Sequence, residues 1–123
     1  MKDTMTPSPH TIGAEQTIEE AKKRMYAEGF RHLPVLEGGQ CIGILSDRDI
    51  KLAYAIEKDS AGKLKITDVC SSDVYTVTIS DAVKEVAGNM AKSGIGSAVV
   101  LERGKVVGIF TTTDALRVLS KIA

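Results

Sequence analysis

The sequence has no surplus of charge of either sign, because 16 Lys and Arg residues balance 16 Asp and Glu residues. This balance argues against a nucleic-acid-binding module, which normally carries a basic surplus. The longest segment without a charged residue, Thr4 to Ala14, has eleven residues, whereas a membrane-spanning helix needs about 20 apolar ones. The two cysteines, Cys41 and Cys70, are too few for a disulfide framework. Together with an N-terminus that lacks a secretory signal, these absences predict a cytoplasmic protein that binds neither nucleic acid nor membrane.

The chain contains an internal repeat. A shift of 65 residues aligns the sequence with itself without a gap and gives twelve identities. The identical pairs include Gly29 and Gly94, Gly39 and Gly104, Gly43 and Gly108, and Asp49 and Asp114. We predict two repeats, residues 2–58 and 66–123, separated by a polar linker near Glu57–Lys65. Each repeat is too short for a secure core of its own, so we expect the two to pack against each other.

Each repeat has the pattern of a β-α-β-β-α unit, which places the chain in the α/β class, in the wider sense α+β. In the first repeat, Thr17 and Glu20 have the spacing of a capping box at the start of an amphipathic helix. Gly29 is suited to end that helix. Two apolar strands follow, Leu33–Leu36 and Cys41–Leu45, with hairpin residues between them. The second repeat shows the same order of elements.

The most informative local pattern is Gly-Ile-x-(Ser/Thr)-x-x-Asp, which spans Gly43–Asp49 and recurs over Gly108–Asp114. A hydroxyl at the end of a strand, followed three residues later by an acid, is good helix-capping chemistry. The same geometry also suits a ligand, since a helix N-terminus attracts phosphate and an acid accepts hydrogen bonds from a sugar diol. A glycine beside them lets a ligand approach the backbone. Both interpretations stand, and the recurrence of the pattern favours a ligand role.

The doubled unit, the Leu33-Pro34-Val35 strand, the repeated turn and the opening segment Asp3–Pro7 resemble a pair of cystathionine-β-synthase (CBS) domains, known as a Bateman module. The resemblance runs from about Lys2 to Leu119. It implies two repeats related by a pseudo-twofold axis, with two clefts that in many members bind AMP, ADP, ATP or related adenosine compounds. It also implies a regulatory protein without catalytic activity, which forms a homodimer of pairs and signals to an unidentified effector protein.

The resemblance further implies which residues line each cleft. In the first, Ser46 and Asp49 hold the ribose, while His32 and Arg48 contact phosphate. The whole first nucleotide site comprises His32, Ile44, Ser46, Arg48, Asp49, Cys70, Tyr75, Ile95, Gly96 and Ser97. The second comprises Met5, His10, Phe30, Arg31, His32, Ile109, Thr111 and Asp114.

The second repeat departs from the family pattern at two positions that matter for phosphate. Ser97 stands where the first repeat has His32, and Thr113 stands where it has Arg48. The second turn therefore lacks the charge-assisted hydrogen bonds that a phosphate prefers. We expect a phosphorylated ligand in the Asp49 cleft, while the Asp114 cleft either depends on cations of the first repeat or stays empty.

Other functions find less support in the residues. The spacing of His10, His32, Cys41 and Cys70 fits no short pair of zinc ligands, so we expect no metal. Ser46 lacks the Gly-x-Ser-x-Gly elbow of a hydrolase, so we expect no enzyme. The main alternative is a ligand-free interaction module, in which the clefts are vestigial and the function is dimerisation. In either case we expect a stand-alone pair that acts on another protein.

Overall fold

The computed structural model describes residues 1–7 and 10–122. These residues form two compact units, of which one contains residues 1–7 and 74–122 and the other spans His10–Asp73. Ala123, the predicted end of the second repeat, lies outside the described residues. No helix in the described ranges is both long enough and apolar enough to cross a membrane.

Within each repeat, the main strands and helices follow the β-α-β-β-α order that the sequence predicts. In chain order the elements are β1 (Thr6–Pro7), β2 (Ile12–Gly13), α1 (Ile18–Glu28), β3 (His32–Glu37), β4 (Gln40–Ser46), α2 (Asp47–Glu57), a 3-10 helix (Lys58–Lys63), α3 (Ile66–Val69), β5 (Thr76–Thr78), α4 (Val83–Ser93), β6 (Ser97–Glu102), β7 (Lys105–Thr111) and α5 (Thr112–Ile122). Each repeat is thus a β-α-β-β-α unit, and the predicted mixed α/β class is confirmed.

In the His10–Asp73 unit, a three-stranded sheet in the order β2-β3-β4 packs against α1 and α2. Thr17 caps α1 by accepting the Glu20 N–H at 3.3 Å. Gly29 ends the helix in the left-handed conformation, with φ at 74°, which glycine adopts without steric cost. The buried core draws on all these elements and comprises Ile12, Ala14, Ile18, Ala21, Met25, Leu33, Val35, Leu45, Ile50 and Ile66.

The unit of residues 1–7 and 74–122 has a four-stranded sheet in the order β1-β7-β6-β5. β5 runs parallel to β6, and β6 forms an antiparallel hairpin with β7. Phe110 is fully buried, and Val86 and Met90 of α4 pack beside it. This arrangement reproduces that of the other unit, with one additional strand on the edge of β7.

The sequence pattern did not predict the structure between the repeats. The segment interpreted as a polar linker, near Glu57–Lys65, contains the 3-10 helix, and α3 begins directly after it. Ala61 of the 3-10 helix and Ile66 of α3 are completely buried. Tertiary packing of these two apolar side chains overrides the polar composition around them.

The segments that open the two repeats lie at equivalent places on the last strand of each hairpin. Thr6 of β1 pairs with Ile109 of β7 in antiparallel register. Ser71, which is 65 residues further along the chain than Thr6, pairs in the same way with Ile44 of β4. Backbone hydrogen bonds of 3.0 Å in both directions join Ser71 and Ile44. Each opening segment therefore covers a strand edge beside the predicted ligand-binding turn.

Candidate functional site

Reciprocal hydrogen bonds between Ser46 and Asp49 close the strand-to-helix turn of the His10–Asp73 unit. Ser46 ends β4, and its Oγ accepts the Asp49 N–H at 3.1 Å. The Asp49 Oδ2 in turn accepts the Ser46 N–H at 3.0 Å. These bonds satisfy two backbone donors that the start of α2 leaves unpaired. The capping role that the pattern predicts for the hydroxyl and the acid is confirmed.

The cap leaves the other carboxylate oxygen of Asp49 available. Within the described part of its own unit, no donor hydrogen-bonds to Oδ1, and the residue is half-buried. An ionised carboxylate accepts about four hydrogen bonds, and the cap uses one of them. Asp49 can therefore accept hydrogen bonds from the two hydroxyls of a ribose while it still caps α2.

His32 lies opposite Ser46, because the antiparallel register of β3 and β4 pairs these two residues. Burial lowers the pKa of His32 from 6.5, and the carboxylates of Asp47 and Asp49 oppose the shift without overcoming it. The ring is therefore neutral at pH 7 and offers one donor and one acceptor. An incoming phosphate would favour the protonated ring, since an opposite charge nearby stabilises the charged form.

Gly43 marks a close approach between β4 and the segment after α3. A Cβ at Gly43 would lie 2.6 Å from the Ser71 carbonyl oxygen and 3.2 Å from the Cys70 Sγ. The chain itself thus makes the close approach that the sequence assigned to a ligand. Burial raises the pKa of the Cys70 thiol, and the Asp49 carboxylate adds to the shift. Cys70 is therefore a protonated thiol within electrostatic reach of the acid.

The corresponding turn of the other unit is more heavily hydrogen-bonded. The Asp114 Oδ2 accepts the Thr111 N–H at 2.9 Å and the Thr111 hydroxyl at 3.2 Å. Its Oδ1 accepts the Thr6 hydroxyl at 2.9 Å and the Arg117 Nη1 at 2.8 Å. Asp114 is only 1% exposed. Both of its carboxylate oxygens are thus in use, whereas one oxygen of Asp49 is open.

Thr6 and Arg117 are absent from the site residues that the sequence predicts. The spacing of Asp114 and Arg117 is the i,i+3 spacing of side chains that meet on a helix, so this contact had a local signal. The Thr6 contact had none, because 108 residues separate it from Asp114. Only the pairing of β1 with β7 brings these two side chains together.

The other predicted residues are divided between the two units. Arg48 is exposed on the first turn of α2, and Ile44 is half-buried on β4. Ser97 is buried and pairs with Thr111 across the β6–β7 hairpin. The unit of residues 1–7 and 74–122 contains eight of the predicted residues: Met5, Tyr75, Ile95, Gly96, Ser97, Ile109, Thr111 and Asp114. The His10–Asp73 unit also contains His10, Phe30, Arg31 and His32. That these sets complete common clefts remains a prediction.

A groove of about 370 Å³ runs along α1 and α2 of the His10–Asp73 unit. It is lined by Lys22, Met25, Tyr26, Gly29, Phe30, Arg31, Asp47, Ile50 and Lys51. The Phe30 ring also packs against the His10 ring, with centroids 4.8 Å apart and the ring planes tilted by 43°. The lining includes neither Ser46 nor Asp49. The groove is therefore separate from the turn that these two residues form, which we call the hydroxyl–acid turn, as we do the equivalent Thr111–Asp114 turn.

The histidines and cysteines do not form a cluster in the described ranges. No group of three or more His, Cys, Asp or Glu side chains there could hold a metal ion. The Cys41 thiol donates to the Gly43 carbonyl oxygen at 3.4 Å, and burial raises the pKa of this thiol. Both cysteines are free thiols.

Comparison with known proteins connects this geometry to one family. The sequence model of the CBS domain matches the chain twice, at residues 1–56 and 66–121. The solved CBS domain pair of protein MJ0100, in complex with 5′-methylthioadenosine and S-adenosyl-L-methionine, is 29% identical with a TM-score of 0.88. The match covers 99% of this chain and 96% of that one.

Two curated relatives show the settings in which similar sequences occur. CBS domain-containing protein YhcV of Bacillus subtilis is 29% identical over 93% of this chain and 81% of its own length. Inosine-5′-monophosphate dehydrogenase of Korarchaeum cryptofilum is 31% identical over 93% of this chain, but the match covers only 22% of that enzyme. Similar sequences are therefore found both in proteins of similar length and as a minor part of an enzyme.

Proposed function

Because the chain belongs to the CBS domain family and contains a pair of these domains, we propose that it is a non-catalytic regulatory module that binds an adenosine-type small molecule. The sugar binds at the Ser46–Asp49 turn, and the ligand is an adenine nucleotide such as AMP, ADP or ATP. Binding favours the arrangement of the protein that has the higher affinity for the ligand. A partner protein then responds to this change.

The observation that carries the proposal is the open Oδ1 of Asp49. The acid is held in place by its hydrogen bond to the Ser46 N–H at 3.0 Å, and among the residues that the structure describes no donor binds its second oxygen. A ribose supplies two adjacent hydroxyl donors, which are the partners that such an oxygen lacks. The MJ0100 pair, at 29% identity, was solved with two compounds that contain adenosine.

Two basic residues near the turn support a ligand that carries phosphate. Arg48 extends from the first turn of α2 with its side chain exposed, and a guanidinium forms bidentate hydrogen bonds with phosphate. His32 lies beside Ser46, and an approaching anion would favour the protonated form of its ring. A methylthio group would gain nothing from either residue, so these two side chains favour nucleotides over 5′-methylthioadenosine, one of the compounds bound to MJ0100.

Thermal unfolding with a panel of ligands tests the proposal. Adenosine, AMP, ADP, ATP, 5′-methylthioadenosine and S-adenosylmethionine are each added at millimolar concentration. A ligand at 100 times its Kd stabilises the folded state by about 2.7 kcal/mol, which raises the melting temperature by several degrees. The phosphorylated compounds should give the largest shifts. An unchanged melting temperature with all six compounds would exclude the proposed ligand class.

An Asp49→Asn variant tests the site itself. Asparagine keeps an oxygen that accepts the Ser46 N–H, but it replaces the other acceptor with a donor. The cap is therefore retained while the ribose contact is lost, and affinity should fall by about 1.5–3 kcal/mol, the range for hydrogen bonds to a charged group. Asp59→Asn, at an exposed acid of the 3-10 helix, is the matched control and should bind normally.

A second candidate function, association with another copy of the chain, has its own support. Leu52 and Ile56 of α2 are 58% and 66% exposed, and Leu116, Leu119 and Ile122 of α5 are 59%, 54% and 77% exposed. Apolar side chains at this spacing form a face on each helix, and such faces mark interaction surfaces. Sedimentation of the wild type and of Ile56→Lys tests this function. A dimer that the substitution dissociates would support it, while a monomeric wild type would exclude it.

A further inference from the structure

The two hydroxyl–acid turns are not equivalent, and we infer that Thr6 and Arg117 close the Asp114 turn, so that each chain binds one sugar, at Asp49. The inference rests on the proposed function, because it concerns where the adenosine-type ligand binds. It extends that proposal by naming two residues that determine how many ligands bind.

The Asp114 carboxylate is saturated with hydrogen bonds from its own unit. Two donors, the Thr6 hydroxyl at 2.9 Å and the Arg117 guanidinium at 2.8 Å, occupy Oδ1. Thr111 occupies Oδ2 through its backbone and its hydroxyl. Four hydrogen bonds are about what a carboxylate accepts. A sugar could bind Asp114 only by displacing Thr6 or Arg117.

In the other repeat, the residues at the equivalent positions make neither of these contacts with Asp49 within the described part of the chain. Ser71 corresponds to Thr6 and pairs with Ile44 as Thr6 pairs with Ile109. The Ser71 Oγ, however, accepts the Asp73 N–H at 3.3 Å, in a turn of its own segment. Leu52 corresponds to Arg117 and has no hydrogen-bond donor in its side chain. The Asp49 Oδ1 thus stays open because Leu52 has no donor and the Ser71 hydroxyl is engaged in its own turn.

The opening segment also packs closely against β7 beside Asp114. A Cβ at Gly108 would lie 2.5 Å from the Met5 Sδ and 2.8 Å from the Thr6 carbonyl oxygen. The opening segment is therefore seated tightly on β7, next to Asp114. With Asp114 only 1% exposed, a ligand would have to move this segment as well as break its hydrogen bonds. The segment beside Asp49 is packed as closely, with the Ser71 carbonyl oxygen 2.6 Å from a Cβ at Gly43. Asp49 nevertheless remains half-buried, so a ligand can reach its open oxygen without moving that segment.

Calorimetric titration with AMP, and separately with S-adenosylmethionine, tests the inference. We expect the wild type to bind one equivalent of whichever compound gives heat, and Asp49→Asn to weaken that binding at least tenfold. The double variant Thr6→Val, Arg117→Leu removes both donors from the Asp114 Oδ1, and its leucine is the residue that the other repeat has at position 52. It should keep the first binding event within twofold and gain a second, weaker one.

The titrations also distinguish failure of this inference from failure of the proposed function. Two equivalents bound to the wild type, or no second event in a double variant that melts cooperatively, would overturn the inference while leaving the proposed function in place. Absence of heat from the wild type with either compound, and with ATP, would instead refute the proposed function.

The closure of Asp114 can also be measured without a ligand. Urea unfolding of Thr6→Val, Asp114→Asn and the combined variant forms a double-mutant cycle. We expect the combined loss of stability to be smaller than the sum of the two single losses, because each substitution removes the same hydrogen bond. Strictly additive losses would show that Thr6 does not hold Asp114 and would overturn the inference whatever the titrations give.

Discussion

The Ser71 carbonyl oxygen lies 2.6 Å from the point that a Cβ on Gly43 would occupy. This distance is shorter than a normal van der Waals contact, and the crowding atom belongs to the backbone, so a side chain at position 43 must push the segment after α3 away from β4. The same segment carries Cys70, which lies near Asp49. The absence of a side chain at Gly43 thus allows an opening segment to pack beside the Ser46–Asp49 turn.

Gly43→Ala should destabilise the fold because its methyl group would overlap the Ser71 carbonyl. Forcing extra atoms into a packed site typically costs about 1–3 kcal/mol, measurable by urea unfolding. Gly88→Ala is the matched control, since nothing lies within 4 Å of the added Cβ and the residue is exposed in α4. The control should be stabilised by about 0.5–1 kcal/mol through helix propensity. Equal effects at both positions would contradict the role given to Gly43.

Arg117→Leu should reduce stability by about 1–2 kcal/mol, because it leaves the buried Asp114 carboxylate without its cation. This expected loss of stability is smaller than that for a fully buried pair, since the Arg117 side chain is 57% exposed. Lys51→Leu removes a comparable pair on α2, that of Lys51 and Asp47 at 3.8 Å, in which both side chains are exposed. Surface pairs contribute about 0–1 kcal/mol, so the control should change little. Thermal unfolding of both variants makes the comparison.

Stability should fall as the pH drops below 6.5, in part because of His32. Burial lowers the pKa of this residue in the folded state, so the unfolded chain binds a proton that the folded chain resists. The stabilising contribution is therefore complete above pH 6.5 and is lost as the pH falls from 6.5 through the lowered folded-state pKa. Urea unfolding at pH 7.5 and 5.5 measures the loss. In His32→Gln the loss should be smaller, and an unchanged loss would exclude His32 as its source.

Arg48→Ala should weaken the binding of AMP and ATP far more than that of adenosine, because the contact proposed for the guanidinium is with phosphate and not with the sugar or the base. We expect about a tenfold loss for the phosphorylated compounds, equivalent to about 1.4 kcal/mol, and less than a twofold loss for adenosine. Lys84→Ala, at an exposed cation of α4, controls for the change of net charge. Equal losses for all three compounds would remove Arg48 from the phosphate site. Titration calorimetry at pH 7 provides the measurement.

Local patterns in the sequence were sufficient to predict the repeated unit. The apolar periodicity of a helix, the glycine that ends α1 and the glycines in the turn between β3 and β4 each depend on residues close together in the chain. A short stretch of sequence is therefore enough to reveal them. The hydroxyl–acid turn is equally local, and the hydrogen bonds between Ser46 and Asp49 follow the capping geometry that their spacing predicts. The polar linker is the exception, since its 3-10 helix buries Ala61 completely, and the polar composition around Ala61 gives no sign of that burial.

The sequence by itself determined that the chain is a duplicated β-α-β-β-α unit with an acid at the same place in each copy, since these features depend on neighbours a few residues apart. Only the tertiary structure decided that the two acids differ. Asp114 meets Thr6 across 108 residues, a contact that no periodicity encodes and that depends on where β1 adds to the sheet. The difference arises because a carboxylate's capacity for a ligand depends on the donors that folding brings to it.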